Sequence, residues 1–397
     1  MRISVFMSIG LSSFTLSRQP QRDVSPSDSG LLERFSQMYK FLKHVLPAII
    51  AVCIWSGCAH AQSQNRPLTS KEIVSLVYQL PQHPEKRDEI VEEIRTRGIG
   101  FPLTSGLRSL VATKSGNDAL LRRTLEEAER RRTNPTASAL LSEAEANELL
   151  ERTSVATLAA AEAMPDFIVK QLIKRTAAYG NTNNWIPLDN LSIAVSYRAN
   201  VGEEYKVLAV NGVPQEGKES KDYGKSVGGA SSSGVEYISS LADLFRPKSR
   251  TTFKPVDTDL LQTRRTIVYE FEVKLPFSSL SLSDRTVSAN AGSRGRIWID
   301  RETNRVLRFE QIATEIPADF PITAASTLID YDWVTIGENK FVLPTRSEVL
   351  ITAVNKRQVV QSRNEIRFRG YQKYGAELKV IDEIDEKDFP PEPEPEP

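Results

Sequence analysis

The spacing of apolar residues changes near residue 165, and this change constrains the fold of the chain more than any other feature. Over residues 73–80, apolar side chains recur three and four positions apart, the period of a helix buried on one side. Over residues 191–197 they alternate with polar side chains, the period of a half-buried strand. We therefore predict an α+β protein, in which an N-terminal helical segment precedes an antiparallel, partly closed β-barrel with a covering helix.

Capping signals divide the N-terminal part into helices. Thr69 with Glu72 and Ser142 with Glu145 have the spacing of capping boxes, in which side chains satisfy the free backbone donors of a helix start. Gly98 is a typical residue just beyond a helix end. These signals predict five helices, at about 69–80, 85–97, 104–112, 117–132 and 142–164.

Three consecutive arginines, Arg130, Arg131 and Arg132, close the fourth predicted helix. Cationic side chains complement the negative end of the helix dipole, so we expect a solvated helix end. The alternative is a docking patch for an anionic surface.

Period-2 segments dominate after residue 165, and their short connections predict antiparallel pairing. Asn211-Gly212 is a strong signal for a tight hairpin turn. One apolar helix, at 235–245, interrupts the strands after a Gly/Ser-rich loop at 227–234. Strands are predicted at 191–197, 205–210, 267–275, 296–300, 306–312, 327–336, 340–351, 358–371 and 376–381.

Residues 38–61 have the three parts of a secretory signal peptide. Two lysines precede an apolar run at 45–55, and Ala59 and Ala61 supply small residues for cleavage after Ala61. The run is shorter than the roughly 20 residues that cross a bilayer, so an uncleaved anchor is a weaker alternative than cleavage. Lipidation of Cys58 is another alternative. We therefore predict a mature chain without a transmembrane helix.

The signal peptide also sets the expected organisation of the chain. Because the signal is complete by itself, we interpret the residues before it as an N-terminal extension that results from a wrongly assigned translation start. A transit peptide is the alternative interpretation. The Pro/Glu-rich C-terminus has nothing apolar to bury, which predicts disorder. The expected segments are the extension 1–37, the signal peptide 38–61, a helical module 62–163, the barrel 164–388 and a tail 389–397.

Cleavage would remove both cysteines, Cys53 and Cys58, and leave His83 as the single histidine. A disulfide, a thiol nucleophile and a Cys/His zinc site are then excluded, and no metal or cofactor is expected. The chain has 51 basic and 51 acidic residues, so nothing predicts nucleic-acid binding.

Two features suggest catalysis, and both have simpler explanations. The glycines at 224–234 lack the Lys-Ser/Thr pair that closes a phosphate-binding loop, which favours a mobile loop. Asp300, Asp330 and Asp332 fall near predicted strand ends, where paired carboxylates could serve a hydrolase. Exposed acids are routine on antiparallel sheets, so the hydrolase is the least favoured alternative.

Aromatic residues are spread over most of the predicted strands. They predict either a packed sheet core or an apolar cavity covered by the helix 235–245 as a lid. We expect Trp298 and Trp333 on buried faces of neighbouring strands. The candidate ligand-binding residues of the cavity and its lid are Tyr237, Leu241, Phe245, Tyr269, Phe271, Trp298 and Trp333.

Two parts of the sequence resemble known bacterial proteins. Residues 90–101 and 119–123 resemble a small helical module of exported and signalling proteins. Residues 165–168, Trp185, 295–300, 305–310, 329–333 and 341–344 resemble a large family of secreted proteins whose β portion looks like the open barrel of the LolA/LolB lipoprotein carriers and of RseB. This resemblance implies a twisted antiparallel sheet that holds acyl chains.

Together these observations predict an exported, non-enzymatic protein of the cell envelope, periplasmic, outer-membrane-associated or secreted. Its expected partner is a lipid or a lipoprotein acyl chain held in the apolar half-barrel. The alternative is an interaction scaffold, in which the helical module recruits another envelope protein.

Overall fold

The computed structural model describes residues 66–374, apart from gaps at 84–85, 137, 181–183, 217, 228–236, 285–286 and 356–357. The extension, the signal peptide with its cleavage site at Ala61, the predicted strand at 376–381 and the tail lie outside the described residues. So does most of the predicted Gly/Ser-rich loop. The described helices and strands from Pro67 onward belong to one compact unit.

Seven α-helices are described, and the first five form the predicted helical segment. Thr69 and Ser142 each make the expected capping box, with Glu72 and Glu145 respectively. Gly98 ends the second helix with a φ of 66°, as a residue beyond a helix end does. The helices are α1 (Ser70–Val77), α2 (Arg87–Arg97), α3 (Ser105–Lys114), α4 (Ala119–Thr133), α5 (Glu143–Glu162), α6 (Gly224–Val227) and α7 (Ile238–Phe245).

The rest of the described chain is mostly antiparallel sheet. Asn211 and Gly212 both have positive φ, as their predicted tight turn requires. The strands are β1 (Phe167–Tyr179), β2 (Ile186–Arg198), β3 (Gly202–Val210), β4 (Val213–Pro214), β5 (Thr252–Leu261), β6 (Arg264–Val273), β7 (Ser281–Asp284), β8 (Val287–Asn290), β9 (Gly292–Asp300), β10 (Val306–Thr314), β11 (Ile322–Ile336), β12 (Asn339–Asn355) and β13 (Gln358–Lys373).

Eleven of these strands form one sheet, in the order β4-β3-β2-β1-β13-β12-β11-β10-β9-β6-β5. The remaining two, β7 and β8, pair as a separate hairpin. The order is linear: β4 and β5 are its two edges, and they do not pair with each other among the described residues. The sheet is therefore an open half-barrel, as predicted.

Two long strands were not predicted from the sequence. Strand β1 is buried along most of its length on both faces, so its apolar residues do not alternate with polar ones. Strand β5 contains Pro255 and a register shift between Pro255 and Asp257, which breaks the period. Burial on two faces and a bulge both remove the signal on which period counting depends.

One face of the sheet, here called the inner face, is covered by α5 and α7. Leu241, Leu244 and Phe245 of α7 pack with Ala146 and Leu149 of α5 over the apolar side chains of the neighbouring strands. The predicted covering helix therefore exists, although it begins at Ile238 rather than at residue 235. A second cluster around Phe167 and Tyr237 fills the inner face on the side of β1 and β2.

The helices α1–α4 have a core of their own and are tied by ion pairs to the opposite, outer face of the sheet. Arg95 donates to Asp257 at 2.9 Å, and Arg130 donates to Asp259 at 2.9 Å. Arg131 also pairs with Asp257. The predicted solvated helix end is therefore wrong for Arg130 and Arg131, because the acids of β5 bind them.

Candidate functional site: an apolar groove beside the covering helix

An open apolar groove of about 290 Å³ lies on the inner face, between the end of α5, the covering helix α7 and the ends of β11 and β12. Its walls are almost entirely aliphatic and aromatic. The residues that line it are Thr157, Ala159, Ala160, Ala163, Met164, Ile238, Leu241, Arg305, Val306, Tyr331, Trp333, Lys340, Phe341 and Val342.

Small side chains at the end of α5 leave the space that forms the groove. Ala159, Ala160 and Ala163 line it where longer side chains would close it against the sheet. On the opposite wall, Tyr331 and Trp333 lie two residues apart on β11 and therefore share one face of the strand. The groove is thus a product of the alanine-rich last turns of α5.

Two of the predicted ligand-binding residues, Leu241 and Trp333, line this groove. The side chain of Trp333 retains 38 % of its accessible surface, so the predicted burial of Trp333 is wrong. Its strand β11 is separated by β10 from β9, which carries Trp298, so the two strands are not neighbours either. An exposed indole in an apolar groove leaves a large surface that a ligand could cover.

Four predicted residues belong to the packed core instead of the groove wall. Tyr237 packs with Phe167 at a ring distance of 5.6 Å. Phe245 of α7 is buried against the sheet, where Tyr269 and Phe271 lie beneath α5 and α7. The Tyr269 hydroxyl donates to the Ala146 carbonyl at 2.7 Å, and burial raises the pKa of Tyr269 to about 12. These side chains hold the covering helices in place.

Trp298 lies on the outer face and faces away from the groove. It is 1 % exposed and packs with Leu261, Val268 and Leu307. Arg123 of α4 stacks over its ring, 5.5 Å from the centroid. The alternation of apolar and polar residues in β9 correctly predicts that Trp298 is buried, but it does not tell which face of the sheet the side chain occupies. The prediction that Trp298 lines the cavity is therefore wrong.

The groove has two cationic residues, Arg305 and Lys340, and its lining contains no carboxylate. Arg305 is half buried, and its Nη1 donates to the Ala156 carbonyl of α5 at 2.5 Å. Burial lowers the pKa of the Arg305 guanidinium. Neither cation was singled out from the sequence, because both lie in hairpin segments without any local motif.

The three candidate carboxylates do not converge. Asp300 is buried and pairs with Arg264, whereas Asp332 is exposed. Burial raises the pKa of Asp330, but the charge and hydrogen bond of Arg308, 2.6 Å away, hold it below its ordinary value. Asp300 and Asp330 are therefore structural ion-pair partners, contrary to the expectation of exposed acids.

The described residues show neither a metal site nor a membrane-spanning helix. No group of three or more His, Cys, Asp or Glu side chains is arranged to hold a metal ion within 66–374. No helix in this described part of the chain is long and apolar enough to cross a membrane.

Comparison with known proteins gives structural matches only. No protein-family model and no curated protein matches the sequence. A LolA superfamily protein from Nitrosomonas europaea is 11 % identical, with a TM-score of 0.28, over 59 % of this chain and 98 % of that one. A DUF1329 family protein from Desulfovibrio piger is 11 % identical, with a TM-score of 0.29, over 58 % and 95 %.

A third match is a domain of an outer membrane lipoprotein-sorting protein from Vibrio parahaemolyticus. It is 10 % identical, with a TM-score of 0.25, over 60 % of this chain and 95 % of that one. The LolA-type resemblance expected from the sequence thus recurs among solved structures. At these identities and TM-scores the likeness says nothing about a ligand, which must be inferred from the groove itself.

Proposed function

We propose that the protein binds one acyl chain, from a lipid or a lipidated partner, in the groove beside α7. It would do so in the cell envelope, where the signal peptide predicted at 38–61 would deliver it. The role is binding and not catalysis, since the groove offers apolar surface and two cations but no nucleophile paired with a base.

The open apolar groove with a half-exposed tryptophan carries this proposal. Small-molecule sites are mostly apolar concavities of about 300–1,000 Å³, and the groove, at about 290 Å³, has the size of the smallest of them. Such a volume suits one chain and not several. Each methylene that leaves water contributes about 0.8 kcal/mol, so a chain of ten carbons would gain several kcal/mol.

The covering helix α7 would control how much of a chain is buried. It is short, the side chain of Tyr237 just before it makes no capping hydrogen bond, and apolar packing through Leu241, Leu244 and Phe245 fixes it. Leu241 also lines the groove, so displacement of α7 would deepen the groove. An acyl chain would then compete with α7 for the same apolar surface.

Trp333 makes the proposal directly testable by fluorescence. A neutral monoacylglycerol with bromine atoms on its chain should quench Trp333 saturably in the protein purified after export, because bromine quenches only at contact. Trp333→Phe should abolish this part of the quenching. Ala160→Leu, which fills the groove, should weaken binding, whereas Val155→Leu on the exposed side of α5 should not.

The two outcomes separate the two functions that the sequence suggests. Saturable quenching that Ala160→Leu reduces would support acyl-chain binding. An absence of saturable binding, with cooperative unfolding intact, would refute the proposal and leave the interaction scaffold as the better account.

A further inference from the structure

We infer that the ligand of the groove is a long-chain carboxylate, a fatty acid, whose head is held by Arg305 and Lys340. This inference rests on the proposed function and adds the chemical class of the ligand. It follows from the charges around an otherwise apolar site.

Arg305 has donors to spare on the groove side. A guanidinium has five N–H donors, and the side chain of Arg305 makes one hydrogen bond, to the Ala156 carbonyl. No carboxylate pairs with it in the described part of the chain. Since a charge taken partly out of water is costly without a counter-ion, an anion in the groove would offset that cost.

Lys340 is the second residue of strand β12 and is exposed at the same groove. It makes no ion pair within residues 66–374. The acid nearest to it along the chain is Glu338, in the turn between β11 and β12, which is exposed and does not line the groove. The groove therefore presents two positive charges and no negative one.

A carboxylate fits this arrangement better than a neutral or a cationic head. Charge-assisted hydrogen bonds from arginine to a carboxylate are among the strongest in proteins, and the planar fork matches both oxygens. The 290 Å³ of the groove suits one chain, whereas a diacyl phospholipid would need room for two.

The test compares three probes with the same twelve-carbon chain: brominated dodecanoate, a brominated neutral dodecyl glycerol ether and a brominated dodecyltrimethylammonium. Binding is read from Trp333 quenching at neutral pH. We expect dodecanoate to bind about tenfold more tightly than the neutral ether, and the ammonium to bind more weakly than either. Arg305→Gln with Lys340→Gln should bring the carboxylate to the affinity of the ether.

The control is the pair Arg301→Gln and Lys254→Gln, which removes the same charges from exposed positions outside the groove. It should leave the preference for dodecanoate unchanged. If all three probes bind equally in the native protein, the carboxylate clamp is refuted while acyl-chain binding stands. If no probe binds, the proposed function itself is refuted.

Discussion

The indole Nε1 of Trp298 donates a hydrogen bond to Oδ2 of Asp259 at 2.9 Å, and the other carboxylate oxygen of Asp259 accepts from Arg130 at 2.9 Å. One carboxylate thus joins strand β9, strand β5 and helix α4. The outer face is held together by a buried polar contact where the inner face relies on apolar packing.

The different burial of Trp298 and Trp333 predicts that their replacement has very different effects on the free energy of unfolding. Trp298→Ala should lower the free energy of unfolding by about 3–5 kcal/mol, the usual cost of deleting a large buried aromatic. Trp333→Ala should cost less than about 1 kcal/mol, because much of that side chain is already in water. Chemical denaturation of both variants tests this, and equal losses would contradict the assignment of Trp333 to an open groove.

The pair Arg95 and Asp257 predicts how firmly the helical module is attached. Both side chains are buried, and Asp257 also binds Arg131. Asp257→Ala would remove the buried carboxylate that Arg95 and Arg131 share, leaving Arg95 only Glu270 at 3.4 Å, and should cost about 3–5 kcal/mol. Thermal unfolding measures the loss. Arg132→Ala, which breaks the surface pair with Glu129, should change the melting temperature little.

The buried pair Asp330–Arg308 predicts an acid-dependent loss of stability. The folded-state pKa of Asp330 is depressed, so its contribution is fully present above the unfolded value of about 3.9 and disappears as the pH falls through the lower folded value. Asp330→Asn should therefore be less stable at neutral pH and lose less stability on acidification below about pH 4. Denaturant unfolding from pH 7 to pH 2 tests this, with Asp332→Asn as the exposed control. Parallel curves for Asp330→Asn and the native protein would contradict it.

The close packing around Gly295, between β9 and β10, predicts that no side chain is tolerated at this position. A Cβ there would lie within bonding distance of the Glu310 carbonyl oxygen and 2.9 Å from the Phe271 ring. Gly295→Ala must therefore push β9 away from β10, and we expect a loss of several kcal/mol or failure to fold. Gly106→Ala in α3, where nothing lies within 4 Å, should stabilise by about 0.5–1 kcal/mol through its helix propensity. Urea unfolding compares the two, and a well-folded Gly295→Ala variant would refute the close approach.

The elements that could be predicted are those whose signals are local. Capping boxes at Thr69 and Ser142 and the turn at Asn211 depend on contacts within a few residues, and each is present. The sequence near Trp298 does not show on which face of the sheet its side chain lies, because this depends on which helices pack against each face. That packing involves contacts such as the one between Arg95 and Asp257, 162 residues apart, which no short sequence pattern predicts.

The candidate site was predicted only in part for the same reason. The apolar face of α7 was readable from its spacing, and Leu241 on it does reach the groove. The alanines of α5 read simply as good helix formers, although their small size creates the space. Arg305 and Lys340 come to line one groove through the pairing of β10, β11 and β12, which local sequence does not encode.

Within the described residues the linear order of the sheet ends in two edge strands, β4 and β5, and each is a poor template for another chain's backbone. Strand β4 has two residues and ends in Pro214, which offers no amide hydrogen. Strand β5 carries Pro255, a bulge and two buried aspartates held by arginines of the helical module. Edges shortened, bent and charged in this way resist strand-to-strand polymerisation. The sheet can thus stay open, with its groove accessible, while neither edge strand favours pairing with another chain.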